Sequence, residues 1–433
     1  MDGLLETSVI DGPLVVGLST AGALALLASL WRPSRRWSRG RWSLTVLGAT
    51  AGGALLGWLG GWLAFDVLDA FGVSPTTVTR SWIAAGGAAI ALALVGLIRA
   101  RPWRIVVGAI ALVLAVAVPA MWINIDFGEY PTIASVLRIS RFHGHRLPTL
   151  AQPATRPSIA EWTAPAGLAT AGAVSEVEIP ATVSGFPARP AVVYLPPAAL
   201  ADDAPLLPVW IVLSGQPGSP EDPLTAAGLL ARLDAYAAAH QGLAPIVVAA
   251  DQLGSPDANP MCVDGPLGNS ASYLTVDVVH WIETRLPATT DHARWAIGGM
   301  SQGGTCASQL GPAHPDLFGG FVDASGELVP SVGSVDDTVA RGFDGDRSAY
   351  LAATPLAILA ANAPLTGMIA VLGVGEQDTR FRDGIEQLAA AAQAAGATTT
   401  LAVWPNTAHD ATAWGLTLGR GLDVLGAAWG LDR

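Results

Sequence analysis

The chain has no lysine: all 23 of its basic residues are arginines, set against 35 acidic ones for a formal net charge of −12. So acidic a chain lacks the positive field that nucleic acid requires, which argues against nucleic acid as a partner. Charge of either sign is sparse, 13% of residues against 51% hydrophobic, and the mean hydropathy of +0.44 is too apolar for an ordinary soluble protein. Metal-ligand clusters are missing as well. His143 and His145 stand as a pair in His143-Gly144-His145 with no Cys, Asp or Glu group beside them, so a solvated loop is expected there and no metal or cofactor. Cysteine is reduced to Cys262 and Cys306. An oxidising compartment permits a disulfide between them, and two buried free thiols are the competing reading, because sequence does not fix their Cα separation.

The excess of apolar residues lies at the front. Residues 13–31, 43–65, 82–98 and 105–123 are uncharged stretches near the ~20 residues needed to cross a bilayer core, so four transmembrane helices are expected. Asp2, Glu6 and Asp11 precede the first stretch where a signal peptide would carry basic residues, which favours a retained span. Arg32, Arg35, Arg36, Arg39 and Arg41 follow span one, and Arg99, Arg101 and Arg104 follow span three. The other short loop carries Asp66, Asp69 and Arg80. Arginine-rich loops stay in the cytoplasm, so the N-terminus and everything after Ile123 are expected outside. Gly48, Gly52, Gly53, Gly57 and Gly61 give the second span small residues for close helix approach. With no charge inside any span, the bundle reads as an anchor or lipid-gathering platform before a transporter.

Residues 124–170, rich in Pro, Ala and Thr, read as an extracytoplasmic linker. Beyond it the pattern changes to strands alternating with helices. Residues 174–179 and 191–195 suit an antiparallel lead-in, while 207–213 and 245–250 are continuous apolar runs of the kind buried on both faces of a parallel sheet. Helical spacing marks 226–239, 273–286 and 383–395, and further strands are expected at 295–298, 321–324, 367–373 and 399–404. Residues 1–123 thus form an all-α membrane region, and 171–433 an α/β catalytic domain with a mainly parallel sheet covered by helices on both faces.

Gly299-Met300-Ser301-Gln302-Gly303 follows the strand at 295–298 and matches the sharp turn that lifts a nucleophilic serine out of a sheet, its glycines standing where a side chain would clash. A serine hydroxyl needs a base, and the base an orienting acid; in such sheets both arrive later in the chain, each after a strand. His314 comes too soon, at the expected end of the helix after Ser301. His409, in Asn406-Thr407-Ala408-His409, is therefore the expected base. The acid is sought in Val374-Gly375-Glu376-Gln377-Asp378, with Asp378 preferred and Glu376 in reserve. The oxyanion needs backbone donors, one of them from the residue after the serine, Gln302. The second is expected from Leu213-Ser214-Gly215-Gln216-Pro217-Gly218 and assigned to Gln216, since Pro217 has no N–H.

Ser214-Gly215-Gln216, Met261-Cys262 followed by Tyr273-Leu274-Thr275-Val276-Asp277 and Trp281-Ile282, the Gly299 to Gly303 turn, and Asn406 to His409 followed by Trp414-Gly415 together resemble the esterase D-like α/β-hydrolases. Within these the likeness is greatest to the actinobacterial mycolyltransferase branch, and it covers about Val174 to the C-terminus. The resemblance implies an acyl-enzyme on Ser301, His409 as base and then acid, and Gln216 with Gln302 as the oxyanion hole. The branch usually carries glutamate as its acid, which keeps Glu376 beside Asp378. The expected function is a multi-pass plasma-membrane serine esterase whose outward domain cleaves a lipid or lipid-linked ester at the membrane surface without a cofactor. The alternatives are transfer of the acyl group to a sugar or lipid acceptor, or a non-catalytic envelope protein on a hydrolase scaffold.

Overall fold

The computed structural model describes residues 2–31, 38–98, 102–151 and 155–433. Two compact units divide it, Met1–Ile139 and Ser140–Arg433.

In the first unit the apolar stretches fold as α1 (Gly12–Ser29), α2 (Arg39–Trp62, running on as a π-turn over Leu63–Val67), α3 (Thr77–Gly96) and α4 (Pro102–Phe127). All four are long and apolar enough to cross a membrane. Large apolar side chains such as Leu24, Leu27, Leu47, Leu56 and Val113 point outward, each at least 60% exposed, the reverse of a water-soluble bundle. Helices α2 and α3 touch through glycine: an added Cβ on Gly53 would come 2.6 Å from Ala91 Cβ, and one on Gly57 2.6 Å from Ile83 O. Gly61 also faces Ile83, whereas Gly48 and Gly52 meet nothing within 4 Å, so only part of the glycine series forms the contact.

The helices overrun the uncharged stretches and take charges into their ends. Arg104, expected in a loop, is buried in the first turn of α4, where its Nη2 donates to Ser29 O at 2.7 Å and Gly96 O at 2.9 Å. A guanidinium there satisfies last-turn carbonyls of α1 and α3 that have no intrahelical partner. Asp126, near the other end of α4, accepts from the hydroxyls of Thr76 and Thr79. Arg80 and Asp66 form a two-fold hydrogen-bonded ion pair at 2.8 Å. Of the loop arginines, Arg32, Arg35, Arg36, Arg99 and Arg101 lie outside the described residues.

The second unit is built on eight strands: β1 (Ala173–Val177), β2 (Ala191–Leu195), β3 (Val209–Leu213), β4 (Ile246–Ala249), β5 (Trp295–Met300), β6 (Gly320–Ala324), β7 (Ile369–Gly375) and β8 (Thr398–Trp404). Their order is β1-β2-β4-β3-β5-β6-β7-β8, and β2 runs opposite to the other seven, which all point the same way. Strands β2 to β6 are buried at every position, as an apolar run in a doubly covered sheet must be. The helices of this unit include α5 (Leu229–Ala239), α6 (Val278–Arg285), α7 (Gln302–Ala313), α8 (Val335–Gly342), α9 (Arg347–Ala352), α10 (Pro355–Ala361), α11 (Arg382–Ala394) and α12 (Ala411–Ala428), and α7, α11 and α12 lie directly on the strands. Helices α7, α10 and α11 pack side by side, as do α5 and α12. Trp210, Trp295, Phe318 and Phe321 fill the interior with no exposed surface.

Boundaries shift for local reasons. The helix expected from residue 226 begins at Leu229, because Gly228 takes φ +68°. The one expected from 273 opens as a π-turn, Tyr273–Asp277, before α6. Helices α8, α9, α10 and α12 lie outside the stretches marked by helical spacing. In α12 the glycines and threonines, weak helix formers, are outvoted by a buried row, Trp414, Leu418, Leu422 and Leu425, and by Asp410, whose carboxylate caps the first turn at Ala413 N.

Candidate active site

Ser301 sits between β5 and α7 with φ +52° and ψ −118°, a conformation that costs a non-glycine residue about 1–3 kcal/mol. Close packing around the turn holds it there. A Cβ on Gly303 would come 2.5 Å from Leu213 O and Ser214 O, and one on Gly299 2.5 Å from Gly303 O. Any other residue at either position would push α7 off the sheet. Ser301 N–H donates to Ala324 O at 2.8 Å, tying the turn to the end of β6.

Strands β7 and β8 are parallel and in register through Gly375 and Trp404, so the loops that follow them leave the sheet side by side. Glu376 N–H donates to Trp404 O at 2.9 Å and Gln377 N–H to Thr407 O at 2.8 Å, which locks one loop to the other. Asp410 Oδ2 accepts from Ala408 N at 2.6 Å and fixes the loop from its far side. Within this frame His409 Nδ1 lies 2.8 Å from Asp378 Oδ2, and His409 Nε2 lies 2.9 Å from Ser301 Oγ. The three side chains, 108 residues apart between Ser301 and His409, thus form one continuous hydrogen-bonded chain. Phe381 stacks on the imidazole at 4.1 Å and Trp414 meets it edge-on at 5.2 Å, leaving histidine and aspartate buried while Ser301 is partly open.

Glu376 lies elsewhere: its exposed carboxylate accepts from Asn406 N at 3.1 Å. His314 is the C-cap of α7. His143 Nδ1 stands 3.5 Å from Glu176 Oε1 on the surface, well exposed.

Gln302 occupies the first position of α7, where the backbone N–H has no carbonyl one turn back to bond. The Ser214–Gln216 segment passes directly beside the serine, since a Cβ on Gly215 would lie 3.5 Å from Ser301 Cβ. The Gln216 side chain turns away and donates to Asp257 O at 3.0 Å. Cys262 and Cys306 are bonded, with Cα atoms 5.4 Å apart, which joins the loop before α6 to the second turn of α7. Gln302 Nε2 donates to Asn259 Oδ1 at 2.9 Å and contacts Cys306 Sγ at 3.2 Å.

Two acids near the turn, one fully and one partly buried, were not read from the sequence. Asp323, at the end of β6, accepts from Ser308 Oγ at 2.5 Å and Gly326 N at 2.7 Å. A lone polar residue inside Phe321-Val322-Asp323-Ala324 is the signal that could have found it. Complete burial pushes its carboxyl up to about 6, against the pull of those two hydrogen bonds. Glu327, partly buried two residues after the turn at Ser325, is likewise raised by desolvation, opposed by the charges of Arg380 and His409.

The elevation of Asp323 has a consequence for stability. The folded chain keeps this proton to about pH 6, whereas the unfolded chain releases it near 3.8, so the folded state holds the extra proton between those values. The stabilisation is therefore present at low pH and is lost as pH rises through 6, by on the order of 3 kcal/mol. Asp323→Asn keeps an oxygen for Gly326 N and gives Ser308 a donor in place of an acceptor. Its thermal midpoint is expected to rise relative to wild type from pH 4 to pH 7; a difference constant across that range would show that Asp323 is ionised throughout.

The chain matches no known protein-family profile. It is 33% identical over 322 residues to an uncharacterized protein of Corynebacterium glutamicum, a match that covers 73% of this chain and 72% of that one. The chain belongs to that protein's family. The shared stretch is longer than the whole unit Ser140–Arg433, so membership extends into the first unit as well. Among solved structures it is similar to a ferulic acid esterase (TM-score 0.49, 18% identity, 60% of this chain and 98% of that one). It is similar also to an S-formylglutathione hydrolase from Agrobacterium tumefaciens (TM-score 0.48, 18% identity, 60% and 96%). The fold of this family member is the α/β-hydrolase fold, on the strand order given above and the strained serine turn after β5.

Proposed function

We propose that the protein is a membrane-anchored serine hydrolase that opens a carboxylic ester of a lipid or lipid-linked cell-envelope substrate through an acyl-enzyme on Ser301. What carries the reading is the pair of distances at His409, 2.9 Å to Ser301 Oγ and 2.8 Å to Asp378 Oδ2. Asp378 accepts a hydrogen bond from Nδ1–H, which keeps the proton on that nitrogen and leaves the Nε2 lone pair facing the hydroxyl. Ser301 Oγ attacks the ester carbonyl as its proton passes to Nε2. The negative oxygen that forms is received by the backbone N–H groups of Gln302 and Gln216. The imidazolium then gives its proton to the departing alcohol, and the C–O bond to that alcohol breaks. Water, deprotonated by the same nitrogen, attacks the acyl carbonyl, and the proton returns to Ser301 as the acid leaves.

The four apolar helices support residence in the plasma membrane, and the bias of arginine toward two loops supports an extracytoplasmic catalytic unit. Joining the catalytic unit through the chain to membrane-embedded helices raises the effective concentration of membrane-borne esters around the site. The test uses the full chain in vesicles containing a labelled lipid ester. Hydrolysis is expected to release free acid at a rate that added sugar or lipid alcohols leave unchanged. Free acid falling in step with a newly acylated acceptor would replace hydrolysis by acyl transfer, and no acyl release from any ester would overturn the enzyme reading.

A further inference from the structure

Gln252 follows β4, beyond Asp251, and has no exposed surface. Asp251 immobilises the backbone there: its carboxylate accepts from Arg189 N at 2.7 Å, from Arg189 Nη2 at 2.7 Å and from Leu253 N at 3.1 Å. From this fixed base Gln252 Nε2 reaches Ser214 O at 2.7 Å and Gln302 Oε1 at 2.9 Å. The amide nitrogen has two hydrogens, and both are used.

The direction of every amide in this chain is dictated from its ends. Ser214 O can only accept, so the Gln252 atom facing it is nitrogen, and the Gln302 atom facing that nitrogen is oxygen. The Gln302 nitrogen then meets Asn259 Oδ1 at 2.9 Å, and the same oxygen accepts from Met261 N, which can only donate. A chain with an acceptor at one end and a donor at the other has one consistent arrangement. Substituting any of its amides by a group of the opposite polarity breaks it at two places.

We propose that Gln252 is a positioning residue for the oxyanion hole: its carboxamide ties the Ser214 carbonyl, two residues before Gln216, to the side chain of Gln302, and so sets the spacing of the two backbone N–H groups. The inference rests on the acyl-enzyme reading and deepens it. Gln252 touches no reacting atom. It acts on two segments that belong to different loops and that share no backbone pairing at this point beyond the β3–β5 ladder, which ends at Leu213 and Gly299. Past that ladder the segments also pack at Gly303, where an added Cβ would come 2.5 Å from Ser214 O, and the carboxamide adds a hydrogen-bonded link between them. Such a spacing matters more to the tetrahedral oxyanion than to the bound ester, because the donors must meet the oxygen where it moves during the reaction.

The test is Gln252→Met in the full chain, with a p-nitrophenyl ester as substrate and a trifluoromethyl ketone, which forms a hemiketal oxyanion on the serine, as inhibitor. Methionine keeps the length and removes both donors. The expected result is a kcat lower by on the order of 30-fold with KM within about 2-fold, and inhibitor affinity weakened by the same factor as kcat/KM. The pH midpoint of activity stays where it is, since the partners of His409 are untouched. Should Gln252→Met fail to fold, Gln302→Met decides, because it removes the partner carboxamide and keeps the Gln302 N–H; it is expected to give the same signature. Wild-type kcat and inhibitor affinity in the folded variant, or a change confined to KM, overturn the proposal while leaving the acyl-enzyme reading intact. Wild-type protein that neither turns over ester nor binds the ketone overturns both.

Discussion

Ser301→Ala is expected to lower ester turnover by about 10,000-fold or more and to abolish labelling by a fluorophosphonate, with the thermal midpoint no lower than that of wild type. Removing Oγ deletes the atom that forms the covalent bond, so no rearrangement of water or neighbouring hydroxyls replaces it at comparable rate. The residual activity would be that of the oxyanion donors and binding alone, acting on a water molecule. Stability should not fall, because a hydroxyl held at φ +52° in a partly open site gives little to the fold beyond its bond to His409 Nε2. Label retained on the alanine variant would locate the nucleophile elsewhere and remove the basis of the reading.

Asp378→Asn is expected to reduce kcat by about 10,000-fold, close to the effect of losing the serine, whereas Glu376→Gln should stay within about 3-fold of wild type. The two residues are two positions apart in one loop, yet their surroundings differ in kind. Asp378 is buried with Oδ2 at 2.8 Å from His409 Nδ1, so it selects the ring tautomer whose Nε2 is free to take a proton. An asparagine that presents its NH2 group there favours the opposite tautomer, and Nε2 then carries a hydrogen that points at the serine. Glu376 is exposed and accepts one backbone N–H from Asn406, a surface contact worth on the order of 1 kcal/mol. Measured kcat for both variants against a soluble ester checks the assignment; equal losses would mean that the loop responds as a unit and that Asp378 has no special part.

Sequence reading recovered the strand pattern of the second unit almost completely, and the reason is physical. A parallel sheet covered on both faces needs continuous apolar runs, and residues 209–213 and 246–249 have few other ways to be buried. That the side chains of Ser301, Asp378 and His409 would meet was legible because their order and their positions after strands are constrained by the chain path. What escaped were residues whose roles depend on long-range neighbours. Gln252 matters through contacts 38 and 50 residues away, and no local pattern announces an amide that bridges two loops. Asp323 left a faint signal as one acid within an apolar strand. Helix α12 was hidden by its own composition, since alanine and glycine at that density give no clear periodicity until the partners of Trp414 and Leu418 are known. In the first unit the charges at helix ends were misplaced for a related reason: hydropathy marks where charge is absent, and Arg104 is buried because carbonyls of two other helices need its donors.

The disulfide between Cys262 and Cys306 consumes both sulfhydryls that the chain possesses. Any cysteine introduced elsewhere would therefore be the molecule's single free thiol, available to an impermeant maleimide without background. Placed at Asp69 in the turn between α2 and α3, it would test the proposed topology, which requires that turn to be open to the outer medium.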